Sequence, residues 1–361
     1  MPRLTILIPV YNQAGYLPLC LQSIGEQEFT DFEIIAVDDG SSDGSRSILD
    51  AYAADERRIR VIAKSNGGYG SALNAGLAAA KGDYIGIVEP DDTIEAPMYR
   101  VLMAAAEQTQ ADIVKCSFRR IFSEGLCLEE KGWYAAAGRV FCLRQHPELC
   151  RLHPAIWAAV YRRQLLEDNH IRFAETPGAT YQDVPFFAEA FSAARTIFIV
   201  PQALYNYRLE SENASSSSNA IDAKVFYRLE NHQRARRVYQ ARGLWEIVKY
   251  YELQREFITL NNFALRIKGS LRRALFEKIR GYFAEIPVSE AVSFLPSGFR
   301  TSFELIKKGS YSRWMLQYAL LPVIIIRLAE QLGLSDRLRQ KYYTWKDTGP
   351  AAYVQDPEYS Y

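Results

Sequence analysis

Apolar residues in the first third of the chain come in short β-branched runs, separated by stretches with helical spacing. Leu4–Val10 reads as a buried strand, and Gly15–Gln27 places Leu17, Leu21 and Ile24 on one face of a helix. The alternation goes on with a strand at Phe32–Val37, a helix at Ser42–Ala54, a strand at Arg60–Ala63 and a helix at Ser71–Ala80. A strand at Tyr84–Val88, a helix at Ala96–Gln108 and a strand at Asp112–Ser117 follow. Strands alternating with helices of this length predict an α/β domain whose mostly parallel sheet is covered on both faces. In such sheets ligands collect at the carboxyl ends of the strands. Polar motifs stand at those ends: Asn12, Asp38-Asp39, Asn66 and Glu89–Asp92.

Residues 118–180 are less regular. Tyr181–Ala194 then reads as a turn into a helix, Ile197–Arg208 as one or two strands, and the Ser-rich stretch Asn213–Asn219 as a loop closing the first domain. Beyond about residue 220 helical periodicity takes over. Trp314, Tyr318, Leu321, Ile325, Leu328 and Leu332 form an apolar stripe, with Pro322 as a kink. The expected organisation is a first domain over residues 1–219 with halves at 1–117 and 118–219, a helical domain over 220–346, and a polar tail over 347–361.

Composition alters this picture in three ways. Hydrophobic residues at 48% and charged residues at 24% fit a soluble globular protein with ample core. The net charge of +1 hides an asymmetry: residues 1–219 carry 20 basic and 28 acidic side chains, and residues 220–361 carry 23 and 14. An acidic front suits a site that collects a metal ion, and a basic back suits phosphate or an anionic surface. Five cysteines without a CxxC pair point to reduced thiols, the start of the chain has no signal-peptide pattern, and the apolar run Met315–Ile326 stops short of the roughly 20 residues a span requires. The expected location is the cytoplasm, with peripheral contact at the inner face of a membrane as one option for Trp314, Tyr318 and Ile325 beside Lys307, Lys308, Arg313 and Arg327. Packing of that stripe on the protein or on a second copy of the chain is the other option.

Four motifs carry candidate chemistry. Asp38-Asp39-Gly40-Ser41-Ser42-Asp43 puts two carboxylates after a strand; Asp38 and Asp43 suit turn and capping roles, and Asp39 suits an acceptor for a base N–H or ribose hydroxyls. Glu89-Pro90-Asp91-Asp92 gathers three acids that repel one another unless solvated or shared with a cation. A hard divalent ion, Mn²⁺ or Mg²⁺, takes one or two such carboxylates and completes its shell with phosphate oxygens and water. The competing reading is an acidic turn ahead of a helix. Asn66-Gly67-Gly68-Tyr69-Gly70-Ser71-Ala72-Leu73-Asn74 places glycines before a helix, where backbone N–H groups can approach a phosphate. Gly178-Ala179-Thr180-Tyr181-Gln182-Asp183 opens a helix with a carboxylate, either a general base or an acid stabilised by the helix dipole.

Pro9-Val10-Tyr11-Asn12, the Asp38–Ser41 stretch and the strand-end acidic cluster, in that order, resemble family 2 glycosyltransferases over roughly residues 3–215. The resemblance implies a GT-A fold, Rossmann-like, and inverting transfer of a sugar from a nucleotide-sugar donor, commonly a UDP-sugar. It places Pro9, Tyr11 and Asp39 at the nucleoside, and Asn12, Asn66, Gly67, Gly68, Asn74, Glu89, Pro90, Asp91 and Arg208 at the donor. It also implies Asp91, with Glu89 and Asp92, at the metal, Asp183 as catalytic base, and closure of Arg208 and the Ser215–Ser218 loop over the diphosphate. The implied acceptor is a saccharide or lipid-linked hydroxyl of a bacterial surface polysaccharide. Two departures stand out: Glu89 replaces the usual first Asp, and Leu73 stands where many members carry Arg, leaving Lys64, Arg119 or Arg208 to supply that cation. The rival readings are a sugar nucleotidyltransferase and a non-catalytic sugar-nucleotide-binding or assembly protein.

Overall fold

The computed structural model describes residues 2–122, 127–130, 136–209, 225–267 and 269–320. They form two compact units. Among the described residues the first takes in the chain up to Leu149, Pro154 to residue 209, and Glu230–Trp245; the second takes in Cys150–His153, residues 225–229 and Glu246 onward.

The first unit is built on one ten-stranded sheet. Its leading strands are β1 (Leu4–Val10), β2 (Phe32–Asp38), β3 (Ile59–Ala63) and β4 (Tyr84–Ile87). They run parallel in the order β3-β2-β1-β4, crossed by α1 (Leu17–Gly25), α2 (Ser45–Asp55) and α3 (Tyr69–Ala79). All seven residues of β1 are buried, which explains its unbroken apolar run: helices shield both faces. Register then sets the site. Val10 pairs with Asp38, Asp38 with Ala63 and Leu7 with Ile87, so Asn12, Asp39, Lys64 and Glu89 leave the sheet along one edge.

Beyond β4 the sheet continues through β9 (Ala159–Arg162), β6 (Ile113–Ile121), β10 (Ile197–Arg208) and β5 (Thr93–Ile94). Short strands β7 (Cys127–Glu129) and β8 (Val140–Phe141) pair with β6 and β10. β9 is antiparallel to both neighbours, and β5 is antiparallel to β10. Neither was expected from the sequence: β9 lies in the irregular stretch after residue 118, and β5 is two residues long. The segment Ile197–Arg208 is one strand with irregularities around Ala203. The remaining helices of this unit include α4 (Met98–Thr109), α5 (Arg163–Asp168) and α6 (Asp183–Ala193).

The second unit is helical. After α7 (Val225–Ala241), whose residues fall in both units, come α8 (Trp245–Arg266), α9 (Gly269–Tyr282), α10 (Ser297–Lys307) and α11 (Tyr311–Trp314), which runs on into a π-helical turn at Met315–Leu320. Phe257, Phe283, Phe294 and Phe303 form an aromatic core with edge-on contacts of 5.1–5.8 Å. Trp314 is fully buried here, its indole N–H between Asn261 Oδ1 (3.1 Å) and Ser302 Oγ (2.9 Å), so it packs inside the unit and presents nothing to a membrane. Leu321, Pro322, Ile325, Leu328 and Leu332 of the stripe, the Ser215–Ser218 loop and the tail lie outside the described residues. No helix among the described residues is long and apolar enough to cross a membrane.

Candidate active site

Four loops leave the carboxyl edge of the sheet, after β1, β2, β3 and β4, and the stretch before α6 meets them. The first pair is bound through Asn12. Its backbone is left-handed (φ 52°), a conformation Asn tolerates better than most residues. That turn aims Asn12 Oδ1 at the Ser42 N–H (2.8 Å) and brings its own N–H to Ser41 Oγ (3.1 Å). Asp38 accepts the Ser41 N–H (3.0 Å), and Asp43 accepts the N–H groups of Ala14 and Ser45. Asn12, Asp38 and Asp43 thus shape the loops. Pro9 is buried in β1, while the Tyr11 ring is 48% exposed at the mouth.

Asp39 is 2% exposed and accepts three hydrogen bonds, from Lys64 Nζ (2.6 Å), Gly67 N (3.0 Å) and Gly68 N (2.8 Å). The glycine turn therefore gives its amides to Asp39. Asn66 is exposed beside it. Gly68 has φ +88°, and a Cβ there would sit 2.8 Å from the Thr176 carbonyl oxygen. Asn74 clasps the backbone of Phe173, donating to its carbonyl (3.0 Å) and accepting its N–H (2.9 Å), and donates to Glu175 Oε1 (2.9 Å). Gly68 and Asn74 join α3 to the stretch that leads to Asp183.

That stretch is ordered by Gln182, which accepts the Thr180 N–H (2.6 Å) and donates to the Gly178 carbonyl (2.6 Å). Gly178 (φ +67°) and Tyr181 (φ 64°) make the reversals that put Asp183 at the first position of α6. The Asn231 amide donates to the Thr180 carbonyl (2.7 Å) from α7.

The acidic turn divides its carboxylates. Asp92 is 1% exposed, with one oxygen accepting from Tyr205 Oη (2.9 Å) and the other from the Arg208 N–H (2.7 Å). Glu89 accepts the Tyr69 hydroxyl proton. Arg208 donates from Nε to the Asp91 carbonyl (3.1 Å) and lies over the Tyr16 ring, 5.3 Å from its centroid. Pro90 is buried between these groups in sequence, and Asp91 and Asp183 are partly exposed. Of the cations considered for Leu73's position, Lys64 is engaged by Asp39 and Arg119 by Glu95 (2.9 Å); Leu73 itself is buried in the core.

Electrostatics ties Glu89, Asp91 and Asp183 together. Burial pushes the Glu89 carboxyl up to about 8; the Tyr69 hydrogen bond opposes this, and the charges of Asp91 and Asp183 add to it. Burial and then Asp91 push Asp92 well above the usual carboxylate range, against the pull of the Arg208 N–H and Tyr205 hydroxyl. Burial raises Tyr69 as well, with Glu89, Asp183 and Asp91 all contributing. Such a grouping of carboxylates would suit a hard divalent ion: its charge would relieve the repulsion, and an all-oxygen donor set fits Mn²⁺ or Mg²⁺. Tyr69 and Tyr205 were missed in the sequence. Tyr69 lay inside a motif read for its glycines, and Tyr205 lay in a strand read only for its apolar pattern.

The family model for glycosyl transferase family 2 matches residues 5–168. The chain is 36% identical over 228 residues to the uncharacterized glycosyltransferase EpsJ of Bacillus subtilis, an alignment covering 60% of this chain and 63% of EpsJ. It is 29% identical over 296 residues to the putative glycosyltransferase EpsH of the same organism, covering 77% of this chain and 81% of EpsH. In fold it is similar to Staphylococcus aureus TarS solved in complex with UDP-GlcNAc, with a TM-score of 0.69 and 20% identity over 86% of this chain and 89% of that one. The matched strands and loops are those that hold Asn12, Asp39, Glu89 and Asp91 at one edge, and residues 5–168 accordingly match a family 2 glycosyltransferase domain, in a chain with the GT-A fold.

Proposed function

We propose that the chain is an inverting glycosyltransferase that moves a sugar from a nucleoside-diphosphate donor, of the UDP class, to a hydroxyl of a saccharide or lipid-linked acceptor. The observation that carries this reading is the grouping of Asp183 with Glu89 and Asp91, close enough for each to raise the pKa of Glu89. UDP is preferred as the nucleotide because the TarS structure is a complex with UDP-GlcNAc.

In this reading the nucleoside lies between Tyr11 and Asp39, and Asp39 exchanges part of its bonding to Lys64 and the glycine amides for the base. The diphosphate lies toward Asp91 and Arg208. Asp91, with Glu89, would hold Mn²⁺ or Mg²⁺, which neutralises charge on a departing diphosphate when bound. Asp183 takes the proton of the acceptor hydroxyl as it attacks the anomeric carbon from the face opposite the leaving group, which inverts the configuration. Asp92, held by Tyr205 and Arg208, supports the turn. A nucleotidyltransferase would want a Gly-rich basic loop after β1, and Tyr11-Asn12-Gln13 stands there.

Donor hydrolysis and transfer with Mn²⁺ and a panel of UDP- and GDP-sugars test the reading. Asp183→Asn is expected to lower turnover by about 10²–10⁴-fold, the usual contribution of a positioned base, while UDP binding by calorimetry stays intact. Full turnover by that variant would remove Asp183 from the chemistry, and absence of turnover with every donor in the wild type would favour the non-catalytic reading.

A further inference from the structure

Tyr205 is fully buried on β10 and meets both ends of the acidic turn. Its ring stacks on Trp157 at 4.1 Å with an interplanar angle of 27°. Trp157 in turn stacks on Tyr207 (5.1 Å) and meets the edge of Phe118 (4.8 Å), so the ring is clamped on a rigid aromatic block. A phenol has one proton to give and lone pairs to receive. Here the oxygen receives the Glu89 N–H (3.0 Å) and the proton goes to Asp92 Oδ2 (2.9 Å). Those partners are the first and last residues of Glu89-Pro90-Asp91-Asp92. The turn closes on itself through Asp92 N–H to the Glu89 carbonyl (3.1 Å), and the strand grips it again through Arg208 N–H to Asp92 and Arg208 Nε to the Asp91 carbonyl. Next along the chain, Ile94 pairs in register with Tyr205 itself.

We infer that Tyr205 is a positioning residue: its hydroxyl bridges Glu89 and Asp92 and so fixes the turn in the shape from which Asp91 meets the divalent cation and the diphosphate. The inference rests on the proposed reading of Asp91 as a metal ligand. Crowded acids disfavour one another's charged forms, and two hydrogen bonds at one buried oxygen, one accepted from the Glu89 N–H and one donated to Asp92, hold the two ends of the turn together. The role is one of geometry alone. The phenol neither gains nor loses a proton during turnover.

Tyr205→Phe keeps the ring, the stack and the volume, and removes only the bridge. The Mn²⁺ concentration giving half-maximal UDP binding, and that giving half-maximal donor hydrolysis, is expected to rise about tenfold, the scale of one hydrogen bond to a charged group. Turnover at saturating Mn²⁺ is expected to stay within about threefold of the wild type, a split between metal affinity and rate that general loosening of the fold would not produce. Asp92→Asn leaves one acceptor oxygen where the Tyr205 hydroxyl and the Arg208 N–H occupy two, so it weakens the same bridge; it is expected to give a shift of similar size and to add little when combined with Tyr205→Phe. It carries the same test if the Phe variant folds poorly. An unchanged Mn²⁺ curve in both variants, in a protein whose UDP binding is abolished by chelator, overturns the positioning role and leaves Asp91 as ligand. UDP binding that ignores chelator in the wild type and in Asp91→Asn overturns the metal reading, and the inference with it.

Discussion

Lys115 is a fully buried lysine in the middle of β6, its ammonium donating to the carbonyls of Pro154 (3.1 Å) and Ala155. Neutral carbonyls offset only part of the cost of removing a charge from water, and burial lowers this lysine to about 7. The sign of the pH effect follows. Below about 7 both folded and unfolded chains hold the proton, and the folded state bears the full penalty. Between about 7 and the unfolded value near 10.4 the unfolded chain binds a proton that the folded chain does not, so stability rises with pH. The difference in melting temperature between the wild type and Lys115→Met is therefore expected to shift in favour of the wild type from about pH 6 to about pH 9; parallel profiles would contradict this. Such a residue is hard to read in a sequence, where one lysine in an apolar run looks like a solvated edge. Asp39 and Glu89–Asp92 were legible because charge directly after a buried strand has few purposes. The Tyr205 bonds were not, since their partners lie 113 and 116 residues earlier in the chain.

At the level of elements, the parallel strands announced themselves because a strand buried on both faces must be apolar throughout. The short antiparallel strands β5 and β9 carry no comparable signal: β9 takes its shape from β4 and β6 on either side, and β5 from β10. The junction between α3 and the segment before α6 was equally silent. Gly70 lies in the first turn of α3, where alanine would ordinarily stabilise by up to about 1 kcal/mol. Here an added Cβ would overlap the Ala174 carbonyl oxygen, a backbone atom that cannot rotate away. Gly70→Ala is therefore expected to destabilise by about 1–3 kcal/mol, the range for overpacking, measured by urea denaturation. A stabilised variant would mean that the junction is looser than its contacts indicate.

On the scale of the whole chain, a ligand that binds only the folded state raises its stability by mass action. At about 100 times its dissociation constant, UDP is expected to contribute about 2.7 kcal/mol, or roughly 5–10 °C for a unit of some 200 residues. Differential scanning fluorimetry checks this: the shift is expected with Mn²⁺, to shrink with chelator, and to be smaller with GDP. Equal shifts for both nucleotides would point away from uridine as the preferred base. The contacts at Gly68, Gly70 and Asn74 have a consequence for anyone rebuilding the molecule. Because Phe173, Ala174 and Thr176 rest on that helix start, the stretch that leads to Asp183 cannot be transplanted between relatives on its own. Residues 67–74 and 173–183 form one graft, to be exchanged together or left in place.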